Sequence, residues 1–356
     1  DPRDLHSFPT RRSSDLTGVA KAASLSHRSL VANTLQARAW IGDVKDRHEV
    51  LMAALPFTHS YGMTACHHLA VQAKATLILQ PRFEVKRVVR DCRRYGVTLF
   101  PGVPTMYGAI VTYCTRHRVN LSTVRACISG GASLPVAVQN EFEKLTRGHL
   151  VEGYGLTEAA PITHCNPLRG KRKLGSIGLP LPNTESRIVD LQTRQPLRHG
   201  QIGELQVRGP QVMTGYWRLP DENERVLQAD GWLNTGDLGY RDAEGYFFIV
   251  DRKKEIIFCG GYNIYPSEVE RVLLEHEAVA EAAVTGMTDA YYGAVVTAFV
   301  VLRSGRQVDQ EELIRFCHGK LAKFKIPRTV HVRSELPRNM LGKVIKRQLL
   351  PAGGQV

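Results

Sequence analysis

The sequence has 356 residues, 43% of them hydrophobic and 23% charged, an ordinary globular balance with room for two domains. Its 47 Lys and Arg outnumber 34 Asp and Glu, for a net charge of +13. That excess is compatible with nucleic acid, an anionic membrane or a polyanionic small substrate. No basic run is interleaved with aromatics and no helix-turn-helix or RNA-binding signature occurs, so nucleic acid is not an expected partner.

The first sixteen residues, DPRDLHSFPTRRSSDL, lack the apolar centre of a secretory peptide. SFPTRRSSDL resembles a translated sequencing-adapter fragment, and residues 1–16 are expected to be an artefactual leader. From Ser24 to about Leu150 short apolar strands alternate with helices. Ser29–Ile41, Tyr61–Ala73, Glu84–Tyr95, Thr105–Cys114 and Pro135–Thr146 read as helices. Glu49–Leu55, Thr76–Gln80, Val97–Phe100 and Val124–Ser129 read as strands, which together predict a parallel α/β sheet. From Ser186 to Val250, strands with glycine-rich turns predict a β-rich subdomain.

A boundary is expected near Asp251–Lys254, followed by a small α+β unit. There, Ser267-x-x-Glu270 after Pro266 predicts a capping box opening a helix to Ala278. Strands are expected at Glu281–Thr285, Ala294–Leu302 and Arg328–Val332, and a helix at Glu311–Leu321. The longest apolar run, Gly293–Leu302, falls short of the roughly 18 residues that span a bilayer and reads as a buried strand. Seven irregularly spaced cysteines, none in C-x-x-C, predict a reduced, intracellular chain. Cys66-His67-His68 lies on an expected helix, where adjacent side chains diverge, so a structural cluster is expected there and not a zinc site.

Five stretches carry chemistry. Gly153-Tyr154-Gly155-Leu156-Thr157-Glu158 follows a strand and offers a hydroxyl for phosphate and a carboxylate for a hard cation. A plain glycine-rich turn with a surface Glu would look the same. Ser129-Gly130-Gly131-Ala132 follows a strand and precedes a helix, where backbone N–H groups face an open crevice. Asp237, in Gly231-Trp-Leu-Asn-Thr-Gly-Asp237, suits two ribose hydroxyls or an ordinary turn. Arg252, in Asp251-Arg-Lys-Lys254, could share that ribose or sit in a solvated charge run. Leu336-Pro-Arg-Asn-Met-Leu-Gly342-Lys343 places a Gly-Lys turn in a basic tail.

In order and spacing these stretches, with Thr17-Gly18-Val19-Ala20-Lys21 and Pro56-Phe-Thr-His59-Ser-Tyr61-Gly62, resemble the acyl-activating, adenylate-forming (AMP-binding) enzyme superfamily from Thr17 to about Leu350. Leu99-Phe-Pro-Gly-Val-Pro-Thr105, Val151–Glu158 and Gly215-Tyr-Trp217 make it most similar to bacterial long-chain fatty-acid–CoA ligases. The resemblance implies a partial N-terminal AMP-binding domain over residues 17–251 and a mobile C-terminal domain over 252–356. It implies ATP and Mg2+ as cofactors, CoA as a substrate, and formation of acyl-AMP, then acyl-CoA, from a fatty acid.

By the same resemblance Lys21 belongs to the phosphate loop and Gly130, Gly131 and Tyr154 border the adenine. Thr157 and Glu158 serve phosphate and metal, while Asp237 and Arg252 hold the ribose. His59 and Tyr61 line the acyl pocket, Lys254 is the hinge, Gly261 borders the CoA channel, and Lys343 is the catalytic lysine. A cytoplasmic site is implied, with peripheral contact at the inner membrane face left open.

Three departures stand out: Arg-Arg-Ser-Ser-Asp-Leu precedes Thr17 where the family has a Ser/Thr/Gly-rich loop, Ala20 and Ala22 flank Lys21 in place of Pro and Gly, and Phe258 stands where many relatives carry Lys. Family members also carry further strands upstream, so the chain as given is expected to be catalytically inactive. A carrier-protein thiol as acceptor, luciferase-type oxidation and a non-catalytic nucleotide or acyl binder remain the alternatives.

Overall fold

The computed structural model describes residues 21–146, 148–289, 291–338 and 344–350, together with the backbone of residues 8–12. Its contacts divide the chain into two units, Asp1–Thr235 with Tyr240–Phe248, and Gly236–Gly239 with Ile249–Val356.

In the first unit Val50–Ala53 pairs in parallel with Thr76–Leu79, and Ala126–Ser129 with His149–Gly155. Single parallel bridges from Leu99 to Leu51 and to Ala126 join the two pairs into one sheet. The expected strand at Val97–Phe100 lies between the two pairs, the Thr98 and Leu99 N–H groups donating to the Val50 carbonyl and the Phe100 N–H to that of Ala126. Ile162–Cys165 and Leu179–Pro180 extend the sheet antiparallel.

Both faces are covered, as parallel sheets require. On one, the helices Val85–Tyr95, Pro104–His117 and Val136–Thr146 bury Val88, Val89, Cys92, Tyr107, Ile110 and Phe142 against Met52, Phe100 and Leu150. On the other, Leu51, Leu55, Tyr61, Leu69, Val151 and Ile162 form a second core under the helix His27–Ile41. Ser26 caps that helix, its side chain accepting from the Ser29 N–H at 3.1 Å. The helix is pinned by buried amides as well as by apolar contacts. Asn33 donates to the Ile162 carbonyl at 2.7 Å and accepts from the Ile162 N–H at 3.0 Å.

The segment expected as a helix over Tyr61–Ala73 is a π-helical stretch, Gly62–His68, continued by an α-turn at Leu69–Gln72. Cys66 is buried there, its thiol pushed up to about 12 by desolvation, while His67 is exposed. Phe8–Arg12 pairs antiparallel with Lys21–Leu25. The β-rich region is a sheet in the order Phe247–Arg252, Leu233–Arg241, Gly203–Arg208, Glu185–Val189.

The second unit has its own five-stranded sheet. Gly293–Leu302 pairs antiparallel with Val279–Asp289 and parallel with Thr329–Arg333, and Ile257–Cys259 and Tyr262–Ile264 complete it. The helices Pro266–Leu274 and Gln310–Cys317 close over Ile264, Val269, Leu273, Val296, Ala298, Val300 and Leu313. Gly293–Leu302 is the buried strand its β-branched composition predicts.

The capping box does not form. Ser267 donates through Oγ to the Val250 carbonyl (2.6 Å), Glu270 accepts from the Val284 N–H (2.8 Å), and the helix ends at Leu274. Tertiary partners outcompete the local pair for both side chains. No helix among the described residues is long and apolar enough to cross a membrane.

Candidate active site

The carboxyl ends of Ala126–Ser129 and His149–Gly155 fall on one edge of the parallel sheet, where open α/β sheets present ligand crevices. Both turns there need glycine. A Cβ on Gly155 would stand 2.0 Å from the Pro161 carbonyl oxygen, and one on Gly153 2.9 Å from Ile128 Cγ2. A Cβ on Gly130 would meet the Tyr61 ring at 3.1 Å, and Gly131 sits at φ +84°. The sequence Gly-x-Gly therefore lets the chain turn sharply into Thr157–Ala159, a short 3-10 segment.

Thr157 and Glu158 are nearly buried at 8% and 7% exposure. The Thr157 hydroxyl lies 3.3 Å from Ser60 Oγ. Glu158 Oε1 accepts from the Tyr216 phenol at 2.7 Å, and its carbonyl accepts from the Met213 N–H at 2.8 Å. Tyr61 is buried and donates to the Ile128 carbonyl (2.7 Å), so its ring backs the Gly130 loop; burial raises its phenol far above the usual range. His59 Nδ1 accepts from the Tyr61 N–H at 3.1 Å. Tyr154 stands edge-on to buried His164, with ring centroids 6.0 Å apart. Ser129 Oγ is buried with no hydrogen-bond partner among the described residues.

Lys21 opens the strand Lys21–Leu25, which pairs with the two-residue strand Gly215–Tyr216. Its ammonium lies 2.7 Å from Glu222 Oε2 and 5.5 Å from the centre of the Tyr216 ring. Lys21 thus reaches Glu158 through a single intervening side chain. The Gly215–Trp217 triplet marks the resemblance in the sequence, but nothing local assigns Tyr216 a partner 58 positions away.

Nothing in the sequence singles out Glu152. It sits in the strand His149–Gly155, accepts from the Leu134 N–H at 3.0 Å and ties the loop after Gly131 to the sheet. Burial pushes its carboxyl up to about 7, from 4.5. Between those values the folded state binds more protons than the unfolded one, so stability falls as pH rises from about 4.5 to 7. Glu152→Gln keeps an acceptor for Leu134 and removes that dependence. It should stabilise the fold above pH 7 by up to about 3 kcal/mol, leave it little changed below pH 4.5, and flatten the melting-temperature profile between. An unchanged profile would contradict this.

In the second unit Asp237, 6% exposed, pairs with Arg252, whose Nε lies 3.1 Å from Oδ1. Lys254 is exposed in the turn Lys253–Glu255. Gly261 is exposed at φ +84°, and among the described residues beyond its chain neighbours no heavy atom lies within 4 Å of the place a Cβ would take. Asp251 is buried, accepts from the N–H groups of Arg252 and Ser267, and has its carboxyl raised by desolvation. Thr17, Gly18 and Lys343 lie outside the described residues.

Chemically, the first unit's edge combines hard oxygen donors, glycine-rich backbone and a lysine already holding a carboxylate. Glu222 stands in for the kind of anion that Lys21 can take. One carboxylate with an adjacent hydroxyl suits Mg2+, which takes few protein ligands and completes its shell with phosphate and water. Among the described residues no group of three or more His, Cys, Asp or Glu could hold a metal alone. The Thr157 hydroxyl, the Glu158 carboxylate and the Lys21 ammonium are groups that suit a phosphorylated ligand and a hard cation.

Comparison with known proteins agrees with that class. Residues 14–217 match the AMP-binding enzyme family and residues 268–343 the AMP-binding enzyme C-terminal domain. The chain belongs to the AMP-binding enzyme family. It is 46% identical over 334 residues to a long-chain-fatty-acid–CoA ligase of Bacillus subtilis, covering 94% of this chain and 60% of that protein. A ligase of the same name from Escherichia coli O157:H7 is 38% identical over 336 residues, covering 94% and 59%.

Among solved structures, ATP-bound MatB from Rhodopseudomonas palustris superposes with a TM-score of 0.88 at 34% identity, over 95% of this chain and 66% of that one. O-succinylbenzoate CoA synthetase from Bacillus subtilis, with ATP and magnesium, gives 0.84 at 33%, over 95% and 68%. The chain spans about 60% of the length of the curated relatives it matches.

Proposed function

We propose that this chain carries the nucleotide-binding part of an enzyme that activates a long-chain fatty acid to acyl-AMP with ATP and transfers the acyl group to CoA, the chain as given being inactive by itself. The observation that carries the reading is the juxtaposition of Thr157, Glu158, Tyr216 and Lys21 at the carboxyl edge of the sheet. Its likeness to CoA ligases by name supports the choice of acceptor.

In the first half-reaction a carboxylate oxygen bonds to the α-phosphorus of ATP while the bond to the leaving pyrophosphate breaks. In the second, the CoA sulfur bonds to the acyl carbon and AMP departs. The first is a charge-crowded displacement in which positioning and electrostatics carry most of the work. The role of Thr157 is to donate its hydroxyl to a phosphate oxygen. Lys21, released from Glu222, neutralises phosphate charge. Glu158 would hold Mg2+, which when bound offsets the charge of the departing pyrophosphate.

Asp237 accepts the two ribose hydroxyls, with Arg252 beside it. Gly130, Gly131 and Tyr154 border the adenine, and His59 and Tyr61 the acyl group. Lys343, a compact point charge, bridges carboxylate and α-phosphate. A rotation at Lys254 exchanges the two half-reactions and brings the Gly261 turn to the CoA path. The chain works in the cytoplasm, with peripheral access to the inner membrane face.

Calorimetric titration with alkyl-sulfamoyl adenosines, unreactive mimics of acyl-AMP, tests the reading. Affinity should rise at least tenfold from a two-carbon to a sixteen-carbon chain, since each buried methylene contributes about 0.8 kcal/mol. Equal affinity for both, or for AMP alone, would point to a different acyl group or a nucleotide binder.

A further inference from the structure

Tyr216 connects the two elements that address phosphate. Its phenol donates to Glu158 Oε1 at 2.7 Å, a charge-assisted hydrogen bond to a nearly buried carboxylate. Its ring lies under the Lys21 ammonium at 5.5 Å, within reach of a cation–π contact.

The Tyr216 backbone is fixed on both edges. On one, Gly215 and Tyr216 pair with Ser24 and Ala23, and the Trp217 N–H donates to the Ala22 carbonyl at 2.8 Å. On the other, the Asn223 side-chain amide substitutes for a strand. Its Oδ1 accepts from the Tyr216 N–H at 2.6 Å and its Nδ2 donates to the Tyr216 carbonyl at 3.1 Å. The approach leaves no space for a side chain before Tyr216. Gly215 is at φ +144°, and a Cβ there would lie 2.8 Å from Asn223 Nδ2. Asn223 follows Glu222, the residue that holds Lys21, in the helix Pro220–Val226. One short strand and one helical turn thus set the phenol, the lysine and the lysine's counterion together.

We propose that Tyr216 is a positioning residue that orients the Glu158 carboxylate for the nucleotide-bound cation and keeps the Lys21 strand in register with it. The proposal rests on the reading of Glu158 as the cation ligand. A phenol hydroxyl is required because a ring alone keeps the packing and the lysine contact but removes this hydrogen bond from the carboxylate.

Mn2+ is the probe, its binding followed by electron paramagnetic resonance in the presence of ATP, with metal-free AMP binding and melting temperature measured alongside. Glu158→Gln should weaken ATP-dependent Mn2+ binding at least tenfold. Tyr216→Phe should weaken it roughly three- to tenfold, a fraction of what one charge-assisted hydrogen bond contributes, because the carboxylate itself remains. AMP affinity should stay at the wild-type value in Tyr216→Phe, and the melting temperature should fall only slightly, as one lost hydrogen bond implies. In the double variant Tyr216→Phe should add nothing to Glu158→Gln, because the hydroxyl acts only through that carboxylate.

Wild-type Mn2+ affinity in Tyr216→Phe, beside a weakened Glu158→Gln, would overturn the proposal and leave the reading of Glu158 standing. Wild-type Mn2+ affinity in Glu158→Gln would overturn that reading and the proposal with it. Additive losses accompanied by reduced AMP affinity would mark Tyr216 as merely structural and also overturn it. Asn223→Ala, which loosens the Tyr216 backbone and leaves the phenol in place, should weaken Mn2+ binding in the same direction. Should Tyr216→Phe fail to fold, an unchanged affinity in Asn223→Ala decides against the proposal.

Discussion

Gly155→Ala should lower the stability of the first unit by about 3 kcal/mol or more and abolish metal-dependent nucleotide binding. The added methyl would lie 2.0 Å from the Pro161 oxygen, 2.7 Å from its carbonyl carbon and 3.0 Å from Ile162 Cα. All three are backbone atoms, so no side-chain rotamer can relieve the clash. The strand His149–Gly155 is paired with Ile162–Cys165 at Gly155–Ile162, and the Leu156 N–H donates to Pro161 at 2.9 Å. Making room breaks that bond and moves Thr157 and Glu158, which follow directly. Gly108→Ala is the matched control, since its methyl meets only Val138 Cγ2 at 3.9 Å inside a helix and should be neutral or slightly stabilising. A melting temperature for Gly155→Ala equal to that of the control would contradict this geometry.

Asp237→Ala should weaken AMP binding by about a hundredfold, equivalent to roughly 2.7 kcal/mol. The proposed ribose contact uses both oxygens of a single nearly buried carboxylate, and its loss also strips Arg252 of an ion-pair partner at 3.1 Å. Comparing AMP with its 3′-deoxy analogue isolates the contact. The wild-type chain should prefer AMP clearly, and Asp237→Ala should treat the two alike. Retained preference in the variant would assign the ribose to other groups.

Local chemistry makes much of this site legible in the sequence. Gly153-Tyr154-Gly155-Leu156-Thr157-Glu158 can be read because the turn's steric demand for glycine and its polar donors lie within six residues. The strand–helix alternation is readable because each element carries its own periodicity. What stays hidden depends on contacts far apart in sequence. Tyr216 meets Glu158 across 58 positions, and Lys21 meets Glu222 across 201. Glu152 looks like part of an apolar strand, and only burial, against the opposing effect of the Leu134 N–H, gives it a raised carboxyl.

The failed capping box has the same cause. Glu270 accepts from the Val284 N–H and lies 2.8 Å from the Lys346 ammonium, and no local pattern anticipates either partner. Leu99 shows the converse, a strand legible in its own apolar run and hydrogen-bonded between Leu51 and Ala126 on its two sides.

Amide hydrogen exchange of the chain with and without hexadecyl-sulfamoyl adenosine tests the central claim most directly. The account predicts protection at the N–H groups of Gly130–Gly131 and Gly153–Glu158, and around Asp237, with the helix Val85–Tyr95 unchanged. Binding that protects other segments and leaves Gly153–Glu158 exchanging at the free rate would contradict it.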